Sequence, residues 1–120
     1  MALKLNKDTI RQVQASASAV KTHTVLLVDD EENNLIGLAN ILKPYYHLLT
    51  APDGQAALDL VQKDPHPERI QLILSDQRMP RMTGVEFLKR VTPIIPKTIR
   101  ILLTGFTDLD AIIDAINLGQ

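Results

Sequence analysis

Short, wholly apolar runs alternate along this chain with longer segments in which apolar residues return every three or four positions. Thr24–Val28 is too short and too uniformly apolar for an amphipathic helix, and it reads as a strand buried on both faces. Leu35, Leu38, Ala39 and Leu42 form a helical stripe that Pro44 ends. His47–Ala51 is a weaker second strand. Pro52-Asp53-Gly54 makes a turn, with Asp53 placed to cap a helix to about Lys63 whose inner face is Ala57, Leu60 and Val61. The prolines of Asp64-Pro65-His66-Pro67 predict a loop, and Ile70–Ser75 a third strand. Thr83 and Glu86 have capping-box spacing and open a helix carrying Val85, Phe87, Leu88 and Val91, closed by Pro93 and Pro96. Thr98–Leu103 is the fourth strand. A last helix starts at Thr107 or Asp108 with the stripe Leu109, Ile112, Ile113 and Ile116, and Gly119 suits its C-terminal cap.

Strands and helices alternating at these lengths predict an α/β fold, a parallel sheet with right-handed crossovers and helices on both faces. Residues 1–22 differ: they are polar, free of Gly and Pro, and place Ile10, Val13, Ala17 and Val20 at helical spacing after Asp8. They read as a leader, either mobile and partly helical or docked on the domain or on a second copy.

A length of 120 residues suits one small domain, and 45% hydrophobic with 22% charged residues is ordinary for a globular protein. The formal net charge of −1 offers no electrostatic case for direct nucleic-acid or membrane-surface binding. Without cysteine there are no disulfides, thiolate metal sites or thiol redox chemistry. No apolar run approaches the roughly 18 residues of a membrane span, and the first residues lack the apolar core of a secretory signal. A cytoplasmic protein is the default expectation.

The chemistry gathers where strands end. The first strand runs into Asp29-Asp30-Glu31, the third into Asp76, the fourth into Thr104-Gly105. In an open parallel sheet, ligands bind beyond the carboxyl ends of the strands. Asp29, Asp30 and Asp76 would meet there and repel one another, and a proton or a cation is the usual remedy. With oxygen ligands alone the natural cation is Mg²⁺, which also screens an incoming phosphate. Asp76 could then attack phosphorus and hold the group as an acyl phosphate, with the Thr104 hydroxyl on a phosphoryl oxygen. The plainer reading remains beside it: Asp30, Glu31 or Glu32 caps the helix near Asn33, Asp76 is a solvated loop acid, and Thr104 forms a turn. His23, His47 and His66 are too separated for a metal cluster, and Tyr45 and Tyr46 read as packing residues.

The segments Val-Leu-Leu-Val-Asp-Asp-Glu (25–31), Leu-Ile-Leu-Ser-Asp-Gln-Arg-Met-Pro (72–80), Met-Thr-Gly-Val-Glu-Phe-Leu (82–88) and Ile-Leu-Leu-Thr-Gly (101–105) closely resemble the receiver domain of two-component response regulators. The resemblance covers residues 24–120. It implies a flavodoxin-like, doubly wound parallel sheet with strand order 2-1-3-4 for the strands present. It also implies a phosphoacceptor Asp76 fed by a sensor histidine kinase in a phosphorelay. Mg²⁺ would be held by Asp30 and Asp76 directly, by Asp29 through water and by the backbone carbonyl of Arg78. Thr104 matches the switch hydroxyl, and Glu31, Arg78 and Phe106 flank the site. The module would be a signalling element and not an enzyme, acting only in its own phosphorylation and dephosphorylation.

Family members continue into a fifth strand, with a lysine that pairs with the phosphate, and a fifth helix. Here the chain stops at Gln120, and Lys89 and Lys97 lie on other elements. The expectation is an incomplete receiver domain over 23–120, a fragment of a longer parent chain bearing an output domain. The segments Arg78–Leu88 and Thr104–Asn117 resemble regulators joined to cyclic-dinucleotide phosphodiesterase or transcriptional-activator modules. A fourth strand without its neighbour would be an apolar edge, which predicts a homodimer or higher oligomer through that edge. Two other readings stand. One is a Mg²⁺-dependent phosphatase with an aspartate nucleophile, although Asp29-Asp30-Glu31-Glu32-Asn33 departs from the Asp-x-Asp-x-Thr/Val of the haloacid dehalogenase type. The other is a non-phosphorylated interaction domain in which the acids only cap.

Overall fold

The structure, a computed structural model, describes residues 23–104. The leader 1–22, the last helix with its stripe, Gly119 and Phe106 lie outside the described residues. Four strands, β1 (Thr24–Val28), β2 (His47–Ala51), β3 (Ile70–Asp76) and β4 (Ile99–Leu103), form one parallel sheet in the order β2-β1-β3-β4. Helices α1 (Glu32–Leu42), α2 (Gly54–Lys63) and α3 (Gly84–Val91) connect them. This is the expected flavodoxin-like arrangement. No helix among the described residues is long and apolar enough to cross a membrane.

The two faces of the sheet follow from the alternation of side chains along a strand. Val25, Leu27 and Leu74 turn to one face and pack with Leu38 and Leu42 of α1. Leu26, Val28 and Ile73 turn to the other, against Ala57 and Val61 of α2 and Phe87 and Val91 of α3. All five residues of β1 are buried, as a central strand between two layers must be. Ile70 and Ile73 share a face despite their odd spacing. The register of β3 against β1 slips there: Thr24 faces Ile70 and Val25 faces Leu72, so Gln71 is an extra, solvent-exposed residue.

The sequence signals for helix starts act as expected at two of three places. Asp53 Oδ1 accepts from Ala56 N at 2.7 Å and opens α2. Thr83 Oγ1 accepts from Glu86 N at 3.2 Å and opens α3, while Glu86 Oε1 returns to the Thr83 hydroxyl at 3.4 Å. The start of α1 differs from the capping expected of Asp30, Glu31 or Glu32. Glu31 occupies the cap position, but its side chain makes no cap bond, and the carboxylate of Asp29 takes the Glu31 N–H instead.

Smaller departures have local causes. Val85 is exposed and not on the inner stripe of α3: it sits in the first turn, at the sheet's rim. In α2, Leu58 is buried and Leu60 only half-buried, because the inner face is centred on Ala57 and Val61. Part of the proline loop closes into a 3₁₀ turn, Pro67–Arg69, and Asp64 accepts from His66 N and Arg69 Nε at its side. Strand β3 runs one residue further than expected, to Asp76, and β4 begins one residue later, at Ile99. Thr98 instead anchors the entry to β4, its buried hydroxyl donating to the Ile70 carbonyl at 2.6 Å. Among the described residues β4 pairs only with β3, and Ile99 is 62% exposed. The expected association of copies along β4 turns equally on residues 105–120, outside the described residues.

Candidate functional site

Parallel strands share one carboxyl edge, and register decides which residues meet there. Val28 pairs with Ser75 and Asp76 with Leu103, so Asp29, Asp30, Asp76 and Thr104 all emerge at the same rim. One carboxylate oxygen from each of Asp29, Asp30 and Asp76 lies within 4.8 Å of the others. Asp29 is buried, Asp76 half-buried and Asp30 exposed. The cluster therefore has a fixed floor and an open side.

Backbone and side-chain hydrogen bonds hold the floor. Asp29 N donates to the Ala51 carbonyl at 3.2 Å, which prolongs the β1–β2 pairing by one residue. Asp29 Oδ1 accepts from Glu31 N at 2.9 Å, and Oδ2 from Asn34 Nδ2 at 3.3 Å. The same Asn34 nitrogen donates to Glu31 Oε2 at 3.1 Å. On the other side, Gln77 N donates to the Leu103 carbonyl at 3.0 Å and clasps the residue after Asp76 to the residue before Thr104. The Gln77 carbonyl accepts from Gly84 N, and its side-chain Oε1 from Val85 N at 2.9 Å, so Gln77 also caps α3. Gly84 is needed here because of close approach. A Cβ at that position would stand 2.3 Å from the Asp76 carbonyl oxygen and 2.5 Å from Leu102 Cδ1.

Electrostatics mark Asp76. Burial, and next the Asp29 carboxylate, push its carboxyl above the ordinary range. The Gln77 backbone N–H pulls it back, Asp30 pushes it further up, and the Arg78 backbone N–H pulls it down. Burial is thus the leading cause of the raised proton affinity of Asp76, and the negative charge of its two neighbours adds to it. A divalent cation would relieve the same charge. Three carboxylates with an open side, and no sulfur or imidazole within the group, make the hard-oxygen donor set that suits Mg²⁺.

The remaining expected site residues fall around this centre. Glu31 and Arg78 are exposed at its margin, and Thr104 is exposed directly after β4. Lys97 is remote, in a cleft at the opposite end of the sheet with His23, Glu68 and Ile99. His23 stacks obliquely near Tyr46 at 6.4 Å, and His66 lies 3.5 Å from Glu68, so the histidines take no part in the acidic group. Asn34, Gln77 and Gly84 escaped the sequence reading. Amides and a glycine carry no charge or periodic signal, and only the Thr-Gly-Val-Glu spacing hinted at Gly84.

A parallel sheet of this order with an acidic carboxyl rim is the architecture of a signalling receiver. The chain belongs to the response regulator receiver domain family, which residues 25–120 match. It is 40% identical over 97 residues to the hydrogenase transcriptional regulatory protein HoxA of Cupriavidus necator, covering 81% of this chain and 19% of HoxA. It is 38% identical over 97 residues to sporulation initiation phosphotransferase F of Bacillus subtilis, covering 79% of this chain and 74% of that protein. Among solved structures it resembles a response regulator receiver domain protein from Clostridium thermocellum (TM-score 0.64, 28% identity, 81% of this chain and 76% of the other). The chain thus spans about a fifth of the length of HoxA and most of the length of the phosphotransferase.

Proposed function

We propose that this receiver accepts a phosphoryl group on Asp76 from the phosphohistidine of a sensor kinase, with Mg²⁺ at the acidic rim. The observation that carries this reading is the convergence of Asp29, Asp30 and half-buried Asp76 to within 4.8 Å at the carboxyl edge of the sheet, which is open on the side of exposed Asp30. An Asp76 oxygen forms a bond to phosphorus as the P–N bond to the kinase imidazole breaks. The electron pair leaves with the ring nitrogen, which takes a proton from water. Little covalent work falls to the protein, and alignment with charge stabilisation does the rest.

Asp29, Asp30, Asp76 and the backbone carbonyl of Arg78 are the groups that would hold Mg²⁺, which supplies charge neutralisation for the transferring phosphoryl oxygens. The Thr104 hydroxyl, one residue beyond the Leu103 that pairs with Asp76, donates to a phosphoryl oxygen. Glu31 and Arg78 border the open side and adjust how long the acyl phosphate survives. The likeness to HoxA, named as a transcriptional regulatory protein, supports gene regulation as the process this receiver serves. Residence in the cytoplasm follows from a kinase partner of this kind.

Intact-mass measurement after incubation with acetyl phosphate and Mg²⁺ tests the reading. The wild type gains one phosphoryl group, and Asp76→Asn or added EDTA abolishes the gain. An unlabelled wild type, or an adduct that persists in Asp76→Asn, overturns it.

A further inference from the structure

Asn34 stands in the first turn of α1, the third residue of the helix. Its amide faces two carboxylates, Asp29 Oδ2 at 3.3 Å and Glu31 Oε2 at 3.1 Å. Ionised carboxylates only accept hydrogen bonds, so the amide nitrogen and not the oxygen must face them. Its two N–H groups diverge, and one can serve each acid. Asp29 Oδ1 is meanwhile held by the Glu31 N–H at 2.9 Å. Both oxygens of Asp29 are therefore fixed by the chain's own donors, each with a lone pair left over, and the carboxylate plane cannot swing.

We propose that Asn34 is a positioning residue that fixes the orientation of Asp29 and so sets the cation affinity of the acidic rim. This rests on the reading of the rim as a Mg²⁺ site. The chemistry of the side chain favours it. A lysine or arginine at this place would also hold Asp29, but its positive charge would compete with the cation. An acid would add repulsion. An amide supplies directional donors and no net charge, so Asp29 is aligned before the cation arrives while the field of the cluster is kept. Groups that orient a metal-binding carboxylate through hydrogen bonds are worth about 10- to 100-fold in metal affinity. Glu31 is drawn in by the same nitrogen, which keeps its carboxylate at the margin of the cluster.

The test is calorimetric titration of the full chain with Mg²⁺. Asn34→Ala and the near-isosteric Asn34→Leu are expected to raise the dissociation constant by about tenfold. Alanine is a good helix former and Asn34 is exposed, so the cation-free thermal midpoint of Asn34→Ala should hold. In an Asp29→Asn background, Asn34→Ala should add no further loss, because the effect runs through Asp29. With acetyl phosphate, the labelling rate of Asn34→Ala should fall about tenfold at limiting Mg²⁺ and recover at saturating Mg²⁺. A dissociation constant within twofold of wild type in both variants overturns the positioning role while leaving the phosphoacceptor reading intact, as does a full loss on top of Asp29→Asn. A wild type that binds no Mg²⁺ sinks both.

Discussion

Asp76 answers to two demands, since a nucleophile must be ionised at working pH and yet this one sits beside Asp29 and Asp30. Its carboxyl is pushed above its ordinary range, chiefly by burial and then by Asp29. The folded chain therefore binds that proton more tightly than the unfolded chain. Stability is then lost as pH rises from the ordinary aspartate range through the raised value, because ionisation is harder in the folded state. Asp76→Asn should remove that slope and, without Mg²⁺, give a higher thermal midpoint than wild type at pH 7. A midpoint equal to or below wild type would contradict the origin assigned to the shift. Gly84 gives the opposite kind of case. Alanine there meets the backbone carbonyl of Asp76, which cannot move aside as a flexible side chain would. Gly84→Ala should cost about 1–3 kcal/mol or more in chemical denaturation and slow Asp76 labelling in proportion to the displacement of that carbonyl.

At the scale of elements, α3 is the piece that ties core to rim. Phe87 and Val91 are fully buried beneath it, while Thr83 and Gln77 serve its first turn. Phe87→Ala should cost about 3–5 kcal/mol and Thr83→Ala about 1 kcal/mol, both read by denaturant titration. The strands and the N-caps of α2 and α3 were legible in the sequence, because apolar run length and Asp or Thr before a helix act locally. The converging acids were legible for the same reason: each ends an apolar run, and parallel strands share an edge. What was not legible depends on register and close approach. Nothing local shows that Val85 faces water, that Gln71 is surplus to the pairing, or that Asp29 replaces the expected cap of α1. Gln77 looks like a loop residue until its N–H is seen to bind β4 and its carbonyl and amide oxygens the first turn of α3.

Over the whole molecule, the sheet separates two ends with different tasks. The carboxyl rim gathers Asp29, Asp30, Asp76 and Thr104, while the opposite end carries the Thr98 to Ile70 bond and exposed Ile99. A cation that binds only the folded rim stabilises the entire domain, by about 1.4 kcal/mol at ten times its dissociation constant. Adding Mg²⁺ should therefore raise the thermal midpoint of the wild type, EDTA should reverse the rise, and Asp30→Asn should blunt it. An unchanged midpoint at millimolar Mg²⁺ would count against the rim as the site. The slipped pairing at the start of β3 has a further consequence for how this domain tolerates change in length. Ile70 already shares the layer of Ile73, so excising Gln71 would leave every later partner in phase. Loss of Leu72 or Ile73 would also take up the bulge, but it would carry polar Gln71 into the paired, inward-facing place that Leu72 holds opposite Val25. A chain shortened at 71 should still fold, and related chains could gain or lose one amino acid there without disturbing the rim at the far end.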